Sequence, residues 1–291
     1  ANGNKMWSRT YGGSDGDVGN CIAQTNDGGF IIGVFTSSIN GDISSNSDAW
    51  LFKIDVGGNI QWTKAIGGID TDRPNSILIN DDGTFLVAGT SYSTNNDFAG
   101  NHGSNDAWVM KLTAEGIVIW NKLYGGGLQD EIFSIKQLTD GYIAAGNTRS
   151  HDGDVVGNHG DSDAWIFKID KSGNLLWQKP LGGTQWEDAL SIAVLPNGGY
   201  IFTGTAGSKN GDVTGLYDNY GGWGDAWIVK LNADGSKNWD AVFGGGQPDI
   251  GSSITSIKEG SLIMVGNTSS NNGNVIGNHG SIDALAVKIY D

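Results

Sequence analysis

The sequence predicts an all-β protein, a five-bladed β-propeller with four antiparallel strands in each blade. Three observations lead to this fold class. A pattern of about 55 to 62 residues returns along the whole chain, each copy carries strand signals separated by glycine turns, and the two chain ends hold complementary parts of one copy. Periods of this length are typical of propellers, solenoids and other repeat arrays, and propellers have 4–8 four-stranded blades.

Two tryptophan positions mark the repeat. Asp-Ala-Trp begins at Asp48, Asp106, Asp163 and Asp225, and returns as Asp-Ala-Leu at Asp283. The second position reads Trp7, Trp62, Trp120, Trp177 and Trp239. Large aromatic side chains at fixed positions of a repeat indicate core packing between neighbouring blades. The repeats run about 7–61, 62–119, 120–176, 177–238 and 239–291 plus 1–6, and we expect 1–291 to form a single domain.

Each copy contains four strand signals, which in the first copy fall at about 20–25, 29–36, 49–54 and 59–65. The second strand is a short apolar run that follows Asp-Gly-Gly, and the third alternates with a period of two. Both faces of the third strand are largely apolar, which is typical of a sheet packed between two others. No competing helical pattern with caps occurs.

The two ends of the chain predict a closed ring. The last copy ends after Asp283–Asp291 and lacks the Gly-Asn-x-x-Trp strand of the other copies, whereas residues 3–7 read Gly-Asn-Lys-Met-Trp. An open array would leave two unpaired edge strands. We therefore expect the N-terminal strand to complete the last blade.

Composition excludes several classes of partner. The formal net charge is −15, from 32 acidic and 17 basic residues, so binding to nucleic-acid phosphates or anionic membranes is disfavoured. No apolar run approaches the roughly 20 residues of a membrane helix, and we expect no membrane insertion. Cys21 is the only cysteine, so an internal disulfide cannot form. The acidic balance suits a soluble extracellular protein and metal cations.

The repeat also resembles that of a known protein family. Gly-Gly-Ser-Asp-Gly-Asp at 12–17, Asp-Gly-Gly at 27–29 and Asp-Ala-Trp-Leu-Phe-Lys-Ile-Asp at 48–55 are similar to the repeat of secreted bacterial β-propeller (SBBP-type) proteins. The resemblance covers all five copies. It implies a propeller in an extracellular or cell-surface bacterial protein and no particular activity, so function has to be argued from the site.

One acidic residue recurs at the predicted start of each innermost strand, five positions after the first glycine of Gly-Gly. These residues, called here the blade-start carboxylates, are Asp17, Asp72, Asp130, Glu187 and Asp249. We expect them around the mouth of the central channel. Five like charges repel unless cations or hydrogen-bond donors compensate them. Two interpretations stay open: a funnel for a cation or ligand, or carboxylates that each hold a turn of their own blade or bond a neighbouring blade.

A polar, glycine-rich loop precedes Asp-Ala-Trp and carries two aspartates nine residues apart in blades 2 and 3. The candidate metal ligands are Asp97, Asp106, Asp154 and Asp163. Calcium takes six to eight oxygen ligands, and such loops supply carboxylate, amide and carbonyl oxygens. Calcium is therefore the one cofactor predicted, with loop-stabilising hydrogen bonds as the alternative. His102, His159 and His279 recur in the same loop, and we expect each to act locally because they belong to different blades.

Blade 4 departs most from the repeat, because its polar loop is four residues longer and rich in aromatic side chains. Trp186, outside the repeat pattern, belongs to the loop that enters this blade, and both loops should lie on the same (top) face. Aromatic rings stack on sugars while carboxylates bond hydroxyl groups; the alternative is that these aromatic residues pack on each other. The candidate ligand-binding residues are Trp186, Glu187, Asp188, Tyr217, Asp218, Tyr220 and Trp223.

These features favour a monomeric, secreted or cell-surface binding module without catalytic activity, whose partner is a glycan or an extracellular protein. Carbohydrate binding through the top-face loops is the first hypothesis, and an adhesion or protein-interaction scaffold is the second. A glycoside hydrolase or polysaccharide lyase is the third, since catalysis would need two unequal carboxylates across a cleft. The candidates are Asp72 with Arg73, Asp130 with Glu131, or Glu187 with Asp188.

Overall fold

The computed structural model describes residues 3–43, 48–217, 224–257 and 260–290. In these ranges the chain forms antiparallel sheets and one short 3-10 turn at Asn96–Phe98. No helix in the described ranges is long and apolar enough to span a bilayer. Two compact units can be distinguished, residues 1–124 and residues 125–291.

The first unit contains two four-stranded sheets in which each strand pairs with the next along the chain. The first sheet consists of β1 (Asp17–Gln24), β2 (Phe30–Thr36), β3 (Ala49–Ile54) and β4 (Ile60–Ile66). The second consists of β5 (Asp72–Ile79), β6 (Phe85–Ser91), β7 (Asp106–Leu112) and β8 (Val118–Tyr124).

The second unit contains three further sheets with the same strand order. Two of them have four strands: β9 (Asp130–Gln137), β10 (Gly141–Thr148), β11 (Asp163–Asp170) and β12 (Leu175–Leu181), then β13 (Ser191–Val194), β14 (Tyr200–Ala206), β15 (Asp225–Leu231) and β16 (Lys237–Phe243). The third comprises β17 (Asp249–Ser256), β18 (Ser261–Thr268) and β19 (Asp283–Tyr290).

The all-β class and the four-stranded antiparallel sheets predicted from the sequence are confirmed. Strands expected at 29–36 and 49–54 occur at Phe30–Thr36 and Ala49–Ile54, while the first strand begins earlier, at Asp17. The sequence pattern missed this early start because polar residues and a glycine precede Cys21. The pairing of β1 with β2 skips a residue between Gly19 and Cys21, and this bulge recurs between Pro74 and Ser76 in the next sheet.

The third-strand tryptophans lie in the cores, as predicted. Trp50, Trp108, Trp165 and Trp227 are 0–1% exposed. In the first unit, Leu51 of the first sheet belongs to the same buried cluster as Phe85 and Trp108 of the second. The fourth-strand tryptophans Trp62, Trp120, Trp177 and Trp239 are only half-buried.

The N-terminal segment packs against the first sheet without forming a strand. Trp7 donates its indole N–H to the carbonyl of Val56 over 3.0 Å, and the Tyr11 hydroxyl donates to Gly58 over 2.7 Å. Trp62, from the fourth strand of the first sheet, donates in the same way to Ala114, at 3.0 Å, in the corresponding turn of the second sheet. Trp7 therefore contacts its neighbouring sheet as a fourth-strand tryptophan does. Pairing of this segment with β19 stays a prediction.

Candidate functional site

The blade-start carboxylates are bound by donors of their own sheets. Asp130 shows the pattern: its carboxylate accepts hydrogen bonds from the hydroxyls of Thr148 and Ser150, the latter at 2.7 Å, and from Gly126 N–H at 2.7 Å. Asp17 bonds Thr36, Ser38 and Gly13; Asp72 bonds Ser91, Ser93 and Gly68; and Asp249 bonds Ser270 and Gly245. The donors are the second glycine of Gly-Gly and hydroxyls of the last residue of the second strand or of the serine two positions after it.

This network joins the start of the first strand to the end of the second, and four of its five carboxylates are buried. Among their oxygen atoms, only Oδ1 of Asp249 has no hydrogen-bond partner among the described residues. Asp72, Asp130 and Asp249 are 0% exposed. Burial raises the pKa of Asp72 and Asp130, while the hydrogen bonds oppose that effect. Burial also acts to raise the pKa of Asp17, but its hydrogen bonds lower that pKa overall. These contacts give the carboxylates a structural role within each blade, and a cation or ligand funnel stays a prediction.

Glu187 differs from the other four carboxylates for a physical reason. The second strand of its sheet ends in Ala206, where the equivalent positions carry Thr36, Ser91, Thr148 and Thr268. With no hydroxyl available there, the longer glutamate reaches the backbone N–H groups of Gly207, at 3.2 Å, and Ser208, at 2.8 Å. In the other sheets the serine N–H at the position of Ser208 bonds the strand-end hydroxyl instead, as Ser150 does to Thr148 at 3.1 Å. The extra methylene thus compensates for the missing hydroxyl.

The sequence reasoning missed these hydroxyl partners. The signal was present as Thr-x-Ser at the end of the second strand, with Ser91 and Ala206 as the variations on the threonine. What the linear sequence did not reveal is that Ala206 and Glu187, which are 19 positions apart, pair in an isolated antiparallel bridge.

The blade-4 residues divide into buried groups and half-exposed groups. Glu187 is 1% exposed, and both of its carboxylate oxygens accept backbone N–H groups, so this residue has a structural role. Trp186 is half-buried; its backbone bridges to Ser162, and its carbonyl accepts Gly207 N–H at 3.0 Å. Tyr217 is also half-buried, and its N–H donates to Asp225 at 3.0 Å. Asp218, Tyr220 and Trp223 lie outside the described residues.

Tyr217 takes the place of a recurring histidine. In blades 2, 3 and 5 a histidine donates its backbone N–H to the aspartate of the Asp-Ala motif, as His159 does to Asp163 at 3.0 Å. The Nδ1 atom of His159 also lies 2.6 Å from the same carboxylate. Tyr217 makes the equivalent backbone bond to Asp225 and leaves its phenol ring free of this local task. Blade 4 therefore keeps the backbone hydrogen bond to the aspartate while a phenol ring replaces the imidazole.

Asp188 has the most altered carboxyl group of the blade-4 residues. Its Oδ1 accepts the N–H of Thr205 at 2.6 Å. Burial raises the pKa of Asp188 to about 6, and the charges of Glu187 and Glu131 act in the same direction. A carboxyl group with this pKa can hold or release a proton near neutral pH.

The four proposed calcium ligands bond different backbone groups. Asp97 accepts Gly67 N–H at 3.1 Å and Asp154 accepts Gly125 N–H at 3.3 Å. Asp106 and Asp163 accept the N–H groups of His102 and His159. Within the described ranges, no three His, Cys, Asp or Glu side chains are grouped as metal ligands. Calcium in these loops stays a prediction.

Comparison with other sequences finds one distant relative. No protein-family model matches the chain. The regulatory protein FlaEY of Caulobacter vibrioides is 28% identical over 216 residues, which cover 68% of this chain and 20% of that protein. This chain thus spans about one fifth of the length of its curated relative.

Comparison with solved structures supports the β-propeller fold. The GH93 α-L-arabinofuranosidase of Fusarium graminearum, solved with arabinobiose, matches with a TM-score of 0.53 at 12% identity over 91% of this chain and 79% of that chain. A Bacteroides caccae protein of unknown function gives 0.48 at 15% identity over 86% and 71% of the two chains. Drosophila semaphorin 1b, extracellular domains 1–2, matches with a TM-score of 0.49 at 13% identity over 88% of this chain and 50% of that chain. At these identities the likeness concerns the fold alone, and membership of the SBBP-type family stays a prediction.

Substitutions of Thr148 and Asp130 test whether a glutamate can compensate for a missing strand-end hydroxyl, as Glu187 does in blade 4. We expect Thr148→Ala to cost roughly 1–3 kcal/mol of unfolding free energy, because a buried carboxylate loses a donor and Ser150 N–H loses its acceptor. Adding Asp130→Glu should recover much of this loss, although Asp130→Glu alone is destabilising. The check is a double-mutant cycle by urea denaturation, and strictly additive effects would show that the two positions are not coupled in this way.

The raised pKa of Asp188 makes its contribution to stability depend on pH. In the folded protein the pKa of Asp188 is about 6, whereas the ordinary pKa of an aspartate is 3.8. The folded protein therefore keeps this carboxyl group protonated up to about pH 6. Stability is therefore lost as pH rises between these values. We expect Asp188→Asn to raise the unfolding free energy, relative to the native protein, by on the order of 2 kcal/mol at pH 7.5 and to give no such gain near pH 3.5.

The matched control for this experiment is Asp234→Asn. Hydrogen bonds from Ser236 lower the pKa of Asp234, so its carboxylate stabilises the fold above the ordinary pKa of 3.8 and loses this effect in acid. The control should thus shift the pH profile in the opposite direction. A difference between Asp188→Asn and the native protein that is the same at every pH would contradict the assignment.

Proposed function

We propose that this chain is a non-catalytic binding module for glycans, based on a five-bladed propeller of an extracellular or cell-surface bacterial protein. One observation carries the proposal: half-buried aromatic side chains stand on both loops of blade 4. Trp186 takes a position where the other blades have Gly16, Thr71, Gln129 and Pro248. Tyr217 replaces a histidine while keeping the anchoring bond to Asp225.

The chemistry of the two blade-4 loops suits neutral sugars better than charged ligands. Indole and phenol rings stack on the apolar faces of sugar rings. Asp218, Tyr220 and Trp223, which lie in the same insertion, would add further aromatic and carboxylate groups. The net charge of −15 opposes the binding of polyanions. A neutral glycan is therefore the ligand class that we propose, bound through the top-face loops.

We also propose that the N-terminal strand completes the last blade and closes the propeller. Trp7 contacts the carbonyl of Val56 as Trp62 contacts that of Ala114. The N-terminal segment thus holds, against the first sheet, the position that a fourth strand holds against the sheet that follows it. The sheet of β17, β18 and β19 is the one without a fourth strand among the described residues.

A glycoside hydrolase is the second candidate, and the pKa of Asp188 is the observation that favours it. A carboxyl group with a pKa of about 6 can act as a general acid, and Glu131 lies near enough to influence it. Polysaccharide turnover that is lost in Asp188→Asn would establish this candidate. No turnover on neutral polysaccharides would remove it. No specific contact favours the adhesion-scaffold alternative.

The glycan hypothesis predicts binding that depends on the blade-4 aromatic residues. On a glycan array we expect a neutral-glycan signal that falls at least about tenfold in Trp186→Ala and in Tyr217→Ala, because each loses a stacking surface. Gln129→Ala, at the position of Trp186 in blade 3, is the matched control and should bind normally. Binding by the native protein that both substitutions leave unchanged would overturn the proposal. Repeating the array and a melting curve with EDTA tests calcium: an unchanged signal and Tm would exclude it.

Closure predicts that removal of residues 1–11 exposes the edge of β19. The amides of this strand should then exchange faster with deuterium, and the Tm should fall, because the edge loses its partner. Met6→Ser is the control, because Met6 is 94% exposed and the substitution should leave both measurements unchanged. Equal exchange of the β19 amides with and without the segment would refute closure.

A further inference from the structure

A cavity in the first unit lies at the strand ends opposite the loop between β2 and β3. Its volume is about 430 Å³, and its lining includes Asp27, Lys53, Gln61, Trp62, Phe85 and Glu115. These residues come from the turn between β1 and β2, from β3 and β4, and from the neighbouring sheet. Small-molecule sites in proteins typically measure about 300–1,000 Å³, so this cavity is large enough for a ligand.

The central group of the cavity is an ammonium with an unused donor. Lys53 is 6% exposed, and its Nζ lies 2.5 Å from Asp27 Oδ2 and also donates to Gln61 Oε1. A lysine ammonium has three N–H donors, and no acceptor in the described ranges takes the third. This third donor is available to an oxygen atom of a ligand that enters the cavity.

Asp27 holds this ammonium in place. Its Oδ1 accepts the Thr25 hydroxyl and Gly29 N–H, the latter at 3.1 Å, while Oδ2 faces Lys53. The hydrogen bond from Lys53, followed by that from Thr25, lowers the pKa of Asp27 to about 2. Contacts with Asp27 and Gln61 set the position of the Lys53 head group in the cavity.

An aromatic wall provides the apolar side of the cavity. The rings of Trp62 and Phe85 are stacked, with centroids 6.3 Å apart and an angle of 27° between their planes. The hydrogen bond from the Trp62 indole to Ala114 holds this ring in one orientation. An apolar wall beside lysine, amide and carboxylate groups matches the two kinds of surface of a sugar ring.

In the second unit, the sheet of β9–β12 holds the same scaffold without the amide. Lys168 pairs with Asp140 at 2.8 Å, and Trp177 lies against Tyr200 with centroids 6.1 Å apart. The position of Gln61 is taken there by Leu176, and that of Thr25 by Leu138. The ion pair and the tryptophan thus belong to the repeat, whereas Gln61 is specific to the cavity of the first unit.

From this geometry we infer that the cavity is a second binding site, for a single neutral sugar residue. Lys53 donates to a ring or hydroxyl oxygen, the amide N–H group of Gln61 donates to a hydroxyl group, and Trp62 with Phe85 forms the apolar wall. Asp27 orients Lys53 and does not contact the ligand. One basic and two acidic side chains, Asp27 and Glu115, line the cavity, which disfavours an anionic sugar. The inference shares its ligand class with the proposed function but uses none of the blade-4 residues.

The test is a titration with D-glucose, D-galactose, D-mannose and N-acetyl-D-glucosamine, followed through the indole N–H signals in NMR spectra. We expect at least one sugar to shift the Trp62 signal. The affinity of the protein for that sugar should fall about tenfold or more in Gln61→Leu and in Lys53→Met, because each substitution removes a polar contact from a desolvated site. Gln61→Leu introduces the residue found at the same position of the second unit, so its fold should be preserved.

Two controls separate this site from the blade-4 site. Lys168→Met changes the equivalent ion pair of the second unit, and Trp186→Ala changes the proposed glycan surface; neither should alter the Trp62 titration. If none of the four sugars shifts the Trp62 signal, or if Gln61→Leu binds as tightly as the native chain, the inference is overturned. A response abolished by Trp186→Ala and retained in Gln61→Leu would support the blade-4 proposal and refute this one.

Discussion

The hydrogen-bond network around the blade-start carboxylates is the interaction on which each blade depends. Asp130 collects two hydroxyl groups and a glycine N–H, and so fixes the start of the first strand against the end of the second; the other blades use variations of this set of donors. Such charge-assisted bonds are strong where solvent is excluded. The network also explains the Gly-Gly pair, because a side chain on Gly126 would collide with Ser150 and Asp152. The blade-start carboxylates thereby serve the fold.

This constraint limits where ligand chemistry can occur. A carboxylate whose oxygens are occupied by donors of its own sheet is poorly suited to bind a ligand, and the repeated tryptophans of the third strand are buried. Binding chemistry is therefore expected where a copy departs from the repeat. Blade 4 does so through Trp186 and Tyr217, and the first unit does so through Gln61. In each case the contact that recurs in other copies of the repeat is kept, while a neighbouring or equivalent side chain is replaced.

The two proposed sites illustrate different ways in which a repeat can acquire a function. In blade 4, Tyr217 preserves the backbone bond to the loop aspartate and gains an aromatic ring. In the first unit, an amide is added to an ion pair that the second unit also has, with Lys168 and Asp140. Both changes cost the fold little, because the contacts that hold the strands together stay the same.

The sequence by itself determined the repeat, the strand order within a blade and the burial of the third-strand tryptophans. These follow from local patterns: a period of two along a strand, glycine at turns and a recurring aromatic position. It did not reveal the partners of Asp130, the exchange between Glu187 and Ala206, or the spare donor of Lys53. Those depend on side chains from different strands or neighbouring sheets, and only the tertiary structure brings them within hydrogen-bonding distance.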